Sequence, residues 1–433
     1  MVEFLKNLYN NFTTNKLYRS VGIYTITNFI NAGIPFLLMI ILTRFLTTSD
    51  YGIIANYQAL FNIVVPFVGY NITGAISRQY FEKDKIDFPN YVTNCIYILL
   101  FSIVPLTLAF LAFQDTIVKY TQIGNGWIYT IIVYSLCFNF IQIDLTIWQV
   151  SQKPIRYGVF KIVRTILELS LASFFVIFLS MAWRGQIIGQ LLAGVLLFFV
   201  TLFFLYKEGY IKHGLNKIYI KNALFFGLPL ILHVIGPSLV NLSDRIMITK
   251  FVSISETGLY SVGYQVGAVI GLLQNSFNLA WVPWFYEQLK TDKEQQKLKI
   301  VKFTYLYFLF LLVLVVLFSI IAPLIFKYLL GKAFTSAYIF VFWIALGFAF
   351  NGMYKMVVNY IFFIQKTYII GFITIIIALL NIILDYFTIK HFGSIGSAYG
   401  CAAAFFIQFV LIWIVSAKMY KMPWFYFLKA KKI

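Results

Sequence analysis

The sequence predicts an all-α integral membrane protein of about twelve transmembrane helices, set as two six-helix lobes around a central cavity. Three observations predict it: an apolar content that no soluble core explains, a ladder of long apolar runs, and a second half that repeats features of the first. Hydrophobic residues make up 61% of the 433, charged residues 11%, and the mean hydropathy is +0.84. A soluble chain of this length has too little interior to hide that much apolar surface. The aromatic share, 20% with 47 Phe and 30 Tyr, suits a lipid-facing surface with interfacial belts. The stretch from Met1 to Arg19 is polar and amphipathic, so no signal peptide is expected and the first apolar run reads as an uncleaved anchor. Cys95, Cys137 and Cys401 lie far apart inside apolar runs, a spacing unlike a disulfide framework or a zinc site.

A helix needs about 20 apolar residues to cross hydrocarbon. Such runs fall at 21–43, 52–74, 91–113, 127–148, 159–181 and 187–206, and a basic connector, 207–222, follows. The second set falls at 223–242, 259–281, 303–326, 337–363, 369–389 and 395–417. The loops run to about fifteen residues at most, too short to fold alone, so no extramembrane domain is expected.

Charge gives the orientation. Of the 34 Lys and Arg, Arg44, Lys119, Arg184, Arg245, Lys250, Lys327, Lys332 and Lys390 fall on one side of this plan. The other 26 gather at the N-terminus, the even-numbered loops, the connector and the C-terminal tail. The positive-inside rule puts both termini in the cytoplasm of a multi-pass bacterial inner-membrane protein. The net charge of +19 therefore reflects membrane topology, and nucleic acid is not an expected partner.

The two halves share local signatures. Thr43-Arg44-Phe45-Leu46-Thr47-Thr48-Ser49-Asp50-Tyr51-Gly52 follows the first span, and Thr249-Lys250-Phe251-Val252-Ser253-Ile254-Ser255-Glu256-Thr257-Gly258 follows the seventh. Gln152-Lys153 with Gly158 precedes the fifth span, and Gln365-Lys366 with Gly371 precedes the eleventh. Six spans return the chain to its starting side, so the halves insert alike and are related by a pseudo-two-fold axis along the membrane normal. The expected lobes are residues 1–211 and 212–433, which suit alternating access.

These motifs carry a resemblance. The acidic-x-Gly turn after spans one and seven, Asp244-Arg245, Gly258-Leu259-Tyr260-Ser261, and Asn381-Ile382-Ile383-Leu384-Asp385 with Gly393 and Gly396 resemble Wzx-type polysaccharide flippases. Those belong to the multidrug/oligosaccharidyl-lipid/polysaccharide exporter superfamily. The resemblance covers nearly the whole chain. It implies two lobes moving an undecaprenyl-diphosphate-linked oligosaccharide, as in O-antigen and lipopolysaccharide assembly, from the cytoplasmic to the periplasmic leaflet. Membrane lipids and a glycan polymerase of the same pathway are the implied partners.

An ionisable group inside a span is costly unless it is paired or faces water. Lys161, Arg164 and Glu168 share one face of span five, with Glu168 near the midplane. Arg164 and Lys161 are candidate substrate-binding cations for a diphosphate; an internal Arg164–Glu168 pair is the plainer alternative. Asn351, Lys355 and Asn359 form a stripe in span ten, where Lys355 is a further candidate or a residue snorkelling to the interface. Asn28 and Asn31 in span one, Asn278 beside Gln274 and Asn275 in span eight, and Asn351 offer amides to sugar hydroxyls, or hold helices together. Glu168, His233 and Asp385 are candidate coupling residues for a proton or sodium ion; Pro229 and Pro237 bend the span that carries His233. Asp144 in span four and Asn381 in span eleven complete the polar set.

No cofactor and no metal-ligand cluster is expected, and no catalytic residue: Asp-x-Asp, Walker A and HExxH patterns are absent, and His213, His233 and His391 are scattered. Three alternatives differ in what they require. A cation-coupled multidrug exporter of the same superfamily wants cavity acids without basic neighbours, which Arg164 opposes. A major-facilitator transporter wants a Gly- and Arg-rich loop where this chain has Arg78-Gln79-Tyr80-Phe81-Glu82-Lys83-Asp84. A polytopic glycan polymerase or glycosyltransferase wants a large periplasmic loop.

Overall fold

The computed structural model describes residues 27, 30, 31, 33–290, 293–364, 366 and 368–425, and at 232, 233, 237 and 280 the backbone alone. Among the described residues the chain is helical, without strands. In order the helices are α1 (Gly33–Leu42), α2 (Thr48–Val64), α3 (Ile72–Gln79), α4 (Phe88–Ala112), α5 (Gln114–Thr121), α6 (Ile128–Val150), α7 (Pro154–Ser173) and α8 (Ala182–Lys207). Then come α9 (Lys217–Phe251), α10 (Ile254–Gly267), α11 (Val269–Lys290), α12 (Glu294–Tyr328), α13 (Tyr338–Phe363), α14 (Tyr368–Phe392) and α15 (Ile395–Met419).

Eight helical stretches among the described residues are long and apolar enough to cross a membrane: those on α4, α6, α8, the first part of α9, α12, α13, α14 and α15. The other four expected spans differ for separate physical reasons. The described part of span one is mainly α1. Span two is divided between α2 and α3, and span eight between α10 and α11, so neither is the continuous helix its hydropathy predicts. Span five is α7, whose Arg156, Lys161, Arg164 and Glu168 lower its hydropathy, and it continues as a π-helical turn, Phe174–Phe178.

The repeated turn has a local cause. Asp50 N donates to Thr47 Oγ1 and Thr47 N donates to Asp50 Oδ2, both at 3.1 Å, a capping box that starts α2. Ser253 starts α10 with the first of these two bonds, its Oγ accepting from Glu256 N at 3.1 Å. The acid three residues after the cap is thus held by helix initiation, and Glu256 also accepts from Ser394 Oγ.

The break in span two is held from outside. Gly69, Tyr70 and Asn71 have φ of 78°, 51° and 59°, three successive residues in the left-handed region. Irregular backbone at membrane depth needs partners for its freed polar groups. Gly69 N donates to Ser102 Oγ at 2.7 Å, and Asn139 Nδ2 donates to Val65 O at 3.1 Å. Tyr70 O rests on Gly227, where a Cβ would stand 2.1 Å away.

Contacts divide the chain into two compact units, Met1–Leu242 and Ser243–Ile433, and the division falls within α9. The first part of α9 stays with the first unit through Gly227, the Arg78 guanidinium 5.4 Å above the Phe226 ring, and Tyr91 OH donating to Asn222 Oδ1 at 3.0 Å. The core of that unit joins Tyr57, Phe61, Tyr91, Leu99, Ile128 and Phe140. The core of the other joins Trp281, Phe285, Tyr307, Met353, Tyr360 and Phe409. Phe101, Phe199, Leu309 and Phe372 stay exposed, as helices solvated by lipid require.

Candidate functional site

Three clusters of polar side chains stand inside the described spans, one in the first unit and two in the second. In the first unit, Arg164 Nε donates to Glu168 Oε1 at 2.9 Å, and Tyr134 OH donates to the same oxygen at 3.0 Å. Arg164 Nη2 reaches Tyr134 OH at 3.5 Å, and its guanidinium lies 4.5 Å from the Phe138 ring centroid. The helical i, i+4 spacing makes the pair, and α6 supplies the phenol and the ring. Lys161, one turn earlier, donates to Tyr157 OH at 3.2 Å. Asn31 is brought to the same helix: Thr165 Oγ1 donates to its Oδ1, while its Nδ2 donates to Thr27 O at 2.8 Å. Asn28 lies outside the described residues, as does the side chain of His233.

In the second unit, α11 and α13 face each other with amides. Gln274 Nε2 donates to Asn351 Oδ1 at 2.9 Å, Lys355 Nζ donates to Asn275 Oδ1, and Asn359 Nδ2 donates to Lys355 O at 2.8 Å. Asn278 Oδ1 is buried without a hydrogen-bond partner. Three amides a turn or less apart on α11, facing a stripe at i, i+4 and i+8 on α13, make a donor-and-acceptor surface with one cation in it.

The third cluster joins α9, α10, α14 and α15. Asp244 is 2% exposed and Asp385 is 0% exposed. Their carboxyl groups meet within hydrogen-bonding reach of each other, and Tyr260 OH donates to Asp244 Oδ2 at 3.3 Å. Asp244 Oδ1, both Asp385 oxygens, Asn381 Oδ1 and Ser397 Oγ are buried with no donor or acceptor of their own. Two carboxyl groups in contact lack a donor until a proton or a cation stands between them. Hard cations take oxygen ligands, which is the chemistry of this set. A Cβ on Gly400 would fall 2.0 Å from Asp385 Oδ1, so the acid reaches its partner across a glycine.

Among the described residues, no group of three or more His, Cys, Asp or Glu gathers as a transition-metal site would. Asp385 was expected from the sequence, but its partnership with Asp244, about 140 residues away, was not legible. The glycines were a usable signal. Gly185 and Gly189 on α8 have the same small-x-x-x-small spacing as Gly396 and Gly400 on α15, a pattern that lets helices approach closely.

A family described as polysaccharide biosynthesis proteins matches residues 17–289, well over half of the chain. The chain belongs to that family. As a polysaccharide biosynthesis protein it is similar to "Lsg locus putative protein 1" of Haemophilus influenzae, 26% identical over 82% of this chain and 87% of that one. It is also similar to an uncharacterized membrane protein of the same organism, 27% identical over 83% and 87%. Among solved structures, lipid II flippase MurJ in an inward closed conformation matches with a TM-score of 0.73 at 14% identity, covering 91% of this chain and 87% of MurJ. An inward-facing multidrug resistance MATE transporter of the MOP superfamily matches at 0.67 and 14% identity, covering 90% and 94%. At that identity the likeness is one of fold. The family is therefore seen here on a twelve-span, two-lobe transporter fold, as the sequence motifs led one to expect.

Proposed function

We propose that this polysaccharide biosynthesis protein is a flippase that moves an undecaprenyl-diphosphate-linked oligosaccharide from the cytoplasmic to the outer leaflet of the bacterial inner membrane, with both termini cytoplasmic. The observation that carries the reading is the basic surplus of α7: two cations, Lys161 and Arg164, stand with one acid, Glu168, inside a span. That surplus suits a diphosphate, and the guanidinium fork matches phosphate oxygens bidentately. Lys355 with Asn278, Asn351 and their neighbours supplies an uncharged-rich surface suited to sugar hydroxyls. The expected lobes, 1–211 and 212–433, give the substrate alternating access, and a polymerase of the same pathway receives the product.

Asp385 with Asp244 is the coupling site in this reading, taking a proton or a sodium ion, and Glu168 serves as the counter-ion of Arg164. The buried carboxyl pair is also what favours the second reading, a cation-coupled multidrug exporter. Export in cells separates them. Per unit of protein in the membrane, Arg164→Ala should accumulate lipid-linked oligosaccharide in the cytoplasmic leaflet and lower surface glycan about tenfold at unchanged drug tolerance, and Arg164→Lys should recover part of it. Normal surface glycan in a chromosomal deletion, with raised drug sensitivity, would sink the flippase reading. Full export by Arg164→Ala combined with Glu168→Gln would remove Arg164 from the substrate site.

A further inference from the structure

Among the described residues, one acid inside the spans is used by none of these clusters. Asp144 is the sole acid or base on α6 apart from its tyrosines and Cys137, is 1% exposed, and has its Oδ2 without a hydrogen-bond partner. Its surroundings follow from the register of α6 on α8. Phe140, one turn before it, meets Phe198 at 4.6 Å between ring centroids, and Trp148, one turn after, meets Phe204 at 5.6 Å. Asp144 therefore faces α8 at the level of Thr201, which is 0% exposed and whose Oγ1 also lacks a partner. Ile141, Leu145, Leu197 and Phe204 line that layer, with Tyr157, Phe160 and Leu167 of α7 beside them.

The charged groups that face Asp144 are already committed. Lys153 and Arg156 of the α7 N-terminal end lie 3.7 and 2.7 Å from Glu208, just past α8; Glu208 opposes a second negative charge nearby and Lys153 offsets part of that opposition. The Tyr210 phenol follows on the connector. Of the rest, α7 also brings Lys161, on Tyr157, and the Arg164–Glu168 pair, and α8 brings Arg184 above Trp183 and Lys207 above Phe203. The helix α5 brings Asp115 and Lys119, α2 brings Asp50, held in the Thr47 capping box, α3 brings Arg78, above Phe226, and α4 brings no charged side chain. A carboxylate in such a layer is strongly unfavourable without a counter-charge. A hard cation would need several oxygens, and one carboxyl and one hydroxyl are too few. A proton needs one acceptor.

We propose that Asp144 is a proton-binding site of the first unit, separate from the Arg164–Glu168 pair and from the carboxyl pair of the second unit, exchanging with the aqueous side on which Lys153, Arg156 and Glu208 lie. The step is the addition of one proton to the Asp144 carboxylate, or its loss; no other bond changes. When protonated, the acid is a donor at the level of Thr201 Oγ1.

Infrared difference spectroscopy of the full-length protein in lipid vesicles, between about pH 6 and about pH 9, reads this directly, because a protonated carboxyl has its own carbonyl band. Beyond the band of the Asp244–Asp385 pair, which every variant shares, the wild type should show a carboxyl component that fades as pH rises; Asp144→Asn should lack that component, and Asp144→Glu should keep it at a shifted frequency. A pH-dependent carboxyl signal identical as a whole in the wild type and Asp144→Asn overturns the proposal, and so does an Asp144 band that persists unchanged across the range. Should Asp144→Asn fail to accumulate, Asp144→Glu carries the test alone: an unshifted titrating band assigns it to another acid. No arm of this experiment reads transport, so its outcome stands apart from that of the flippase reading.

Discussion

A Cβ on Gly189 would stand 2.4 Å from the Ala172 nitrogen, and one on Gly400 would stand 2.0 Å from Asp385 Oδ1. The α7–α8 and α14–α15 hairpins, equivalent in the repeat, are thus closed by the same device, a glycine of a four-residue pair received by the preceding helix. What each glycine receives is different. In the first unit it meets the backbone at an alanine, and the acid one turn earlier, Glu168, is held by Arg164. In the second unit it meets the acid itself, and the position one turn earlier is an amide, Asn381. One hairpin settles its carboxylate internally; the other leaves a buried carboxyl pair in need of a proton or cation. Helix packing was kept through the repeat while the chemistry diverged.

The largest test of that contrast is Arg164→Ala. With both side chains less than a fifth exposed, removing the cation leaves Glu168 uncompensated and should cost about 3 kcal/mol. Membrane abundance and the melting temperature in detergent should fall, and Glu168→Gln in the same chain should restore most of both. An unchanged melting temperature for the single variant would break the comparison, since the pair would then not be what settles α7. The glycines come next. Gly189→Ala meets backbone, which cannot step aside, and should cost about 2 kcal/mol. Gly400→Ala meets a carboxyl that can rotate away, so it should lose less stability. Equal losses would mean that Asp385 is as fixed as a peptide group.

Asp385→Asn keeps the volume and removes the charge. Transport should keep its protein level while the proton or sodium concentration for half-maximal rate rises about tenfold. Unaltered ion dependence would return the coupling role to Glu168. The smallest effect lies outside the spans. The Lys212 ammonium, 3.0 Å from Asp87 Oδ1, holds that carboxyl below its usual range. A depressed carboxyl contributes stability above its unfolded value, about pH 4, and loses it as pH falls through the folded value. The pair is therefore intact at neutral pH, and both partners are well exposed. Lys212→Ala should speed amide exchange in 208–216 only slightly at neutral pH and remove its acid sensitivity.

Much of the fold was legible because hydropathy and charge speak directly about lipid. The turn Thr47–Gly52 was visible as a repeat, and its capping box gives it a physical cause. Lys161, Arg164 and Glu168 were readable as one face because a single helix carries them. The division of span two was not, since apolar residues run on through the break and its backbone is held from other spans, Gly69 by Ser102 and Val65 by Asn139. For the same reason Asp385 was found without Asp244. A pattern along one helix is in the sequence, whereas a partner on another helix is a property of packing.

The break at Gly69–Asn71 also has a consequence for descent. Its backbone groups are satisfied by side chains encoded well downstream, on α4 and α6. Loss of Ser102 alone, or of Asn139 alone, would leave a peptide group bare in hydrocarbon, while restoring a regular helix would make both superfluous. Relatives should therefore carry the interruption together with its two donors and acceptors, or an uninterrupted helix with neither, and intermediates should be rare. Three separated stretches of the gene are expected to change as one inherited character.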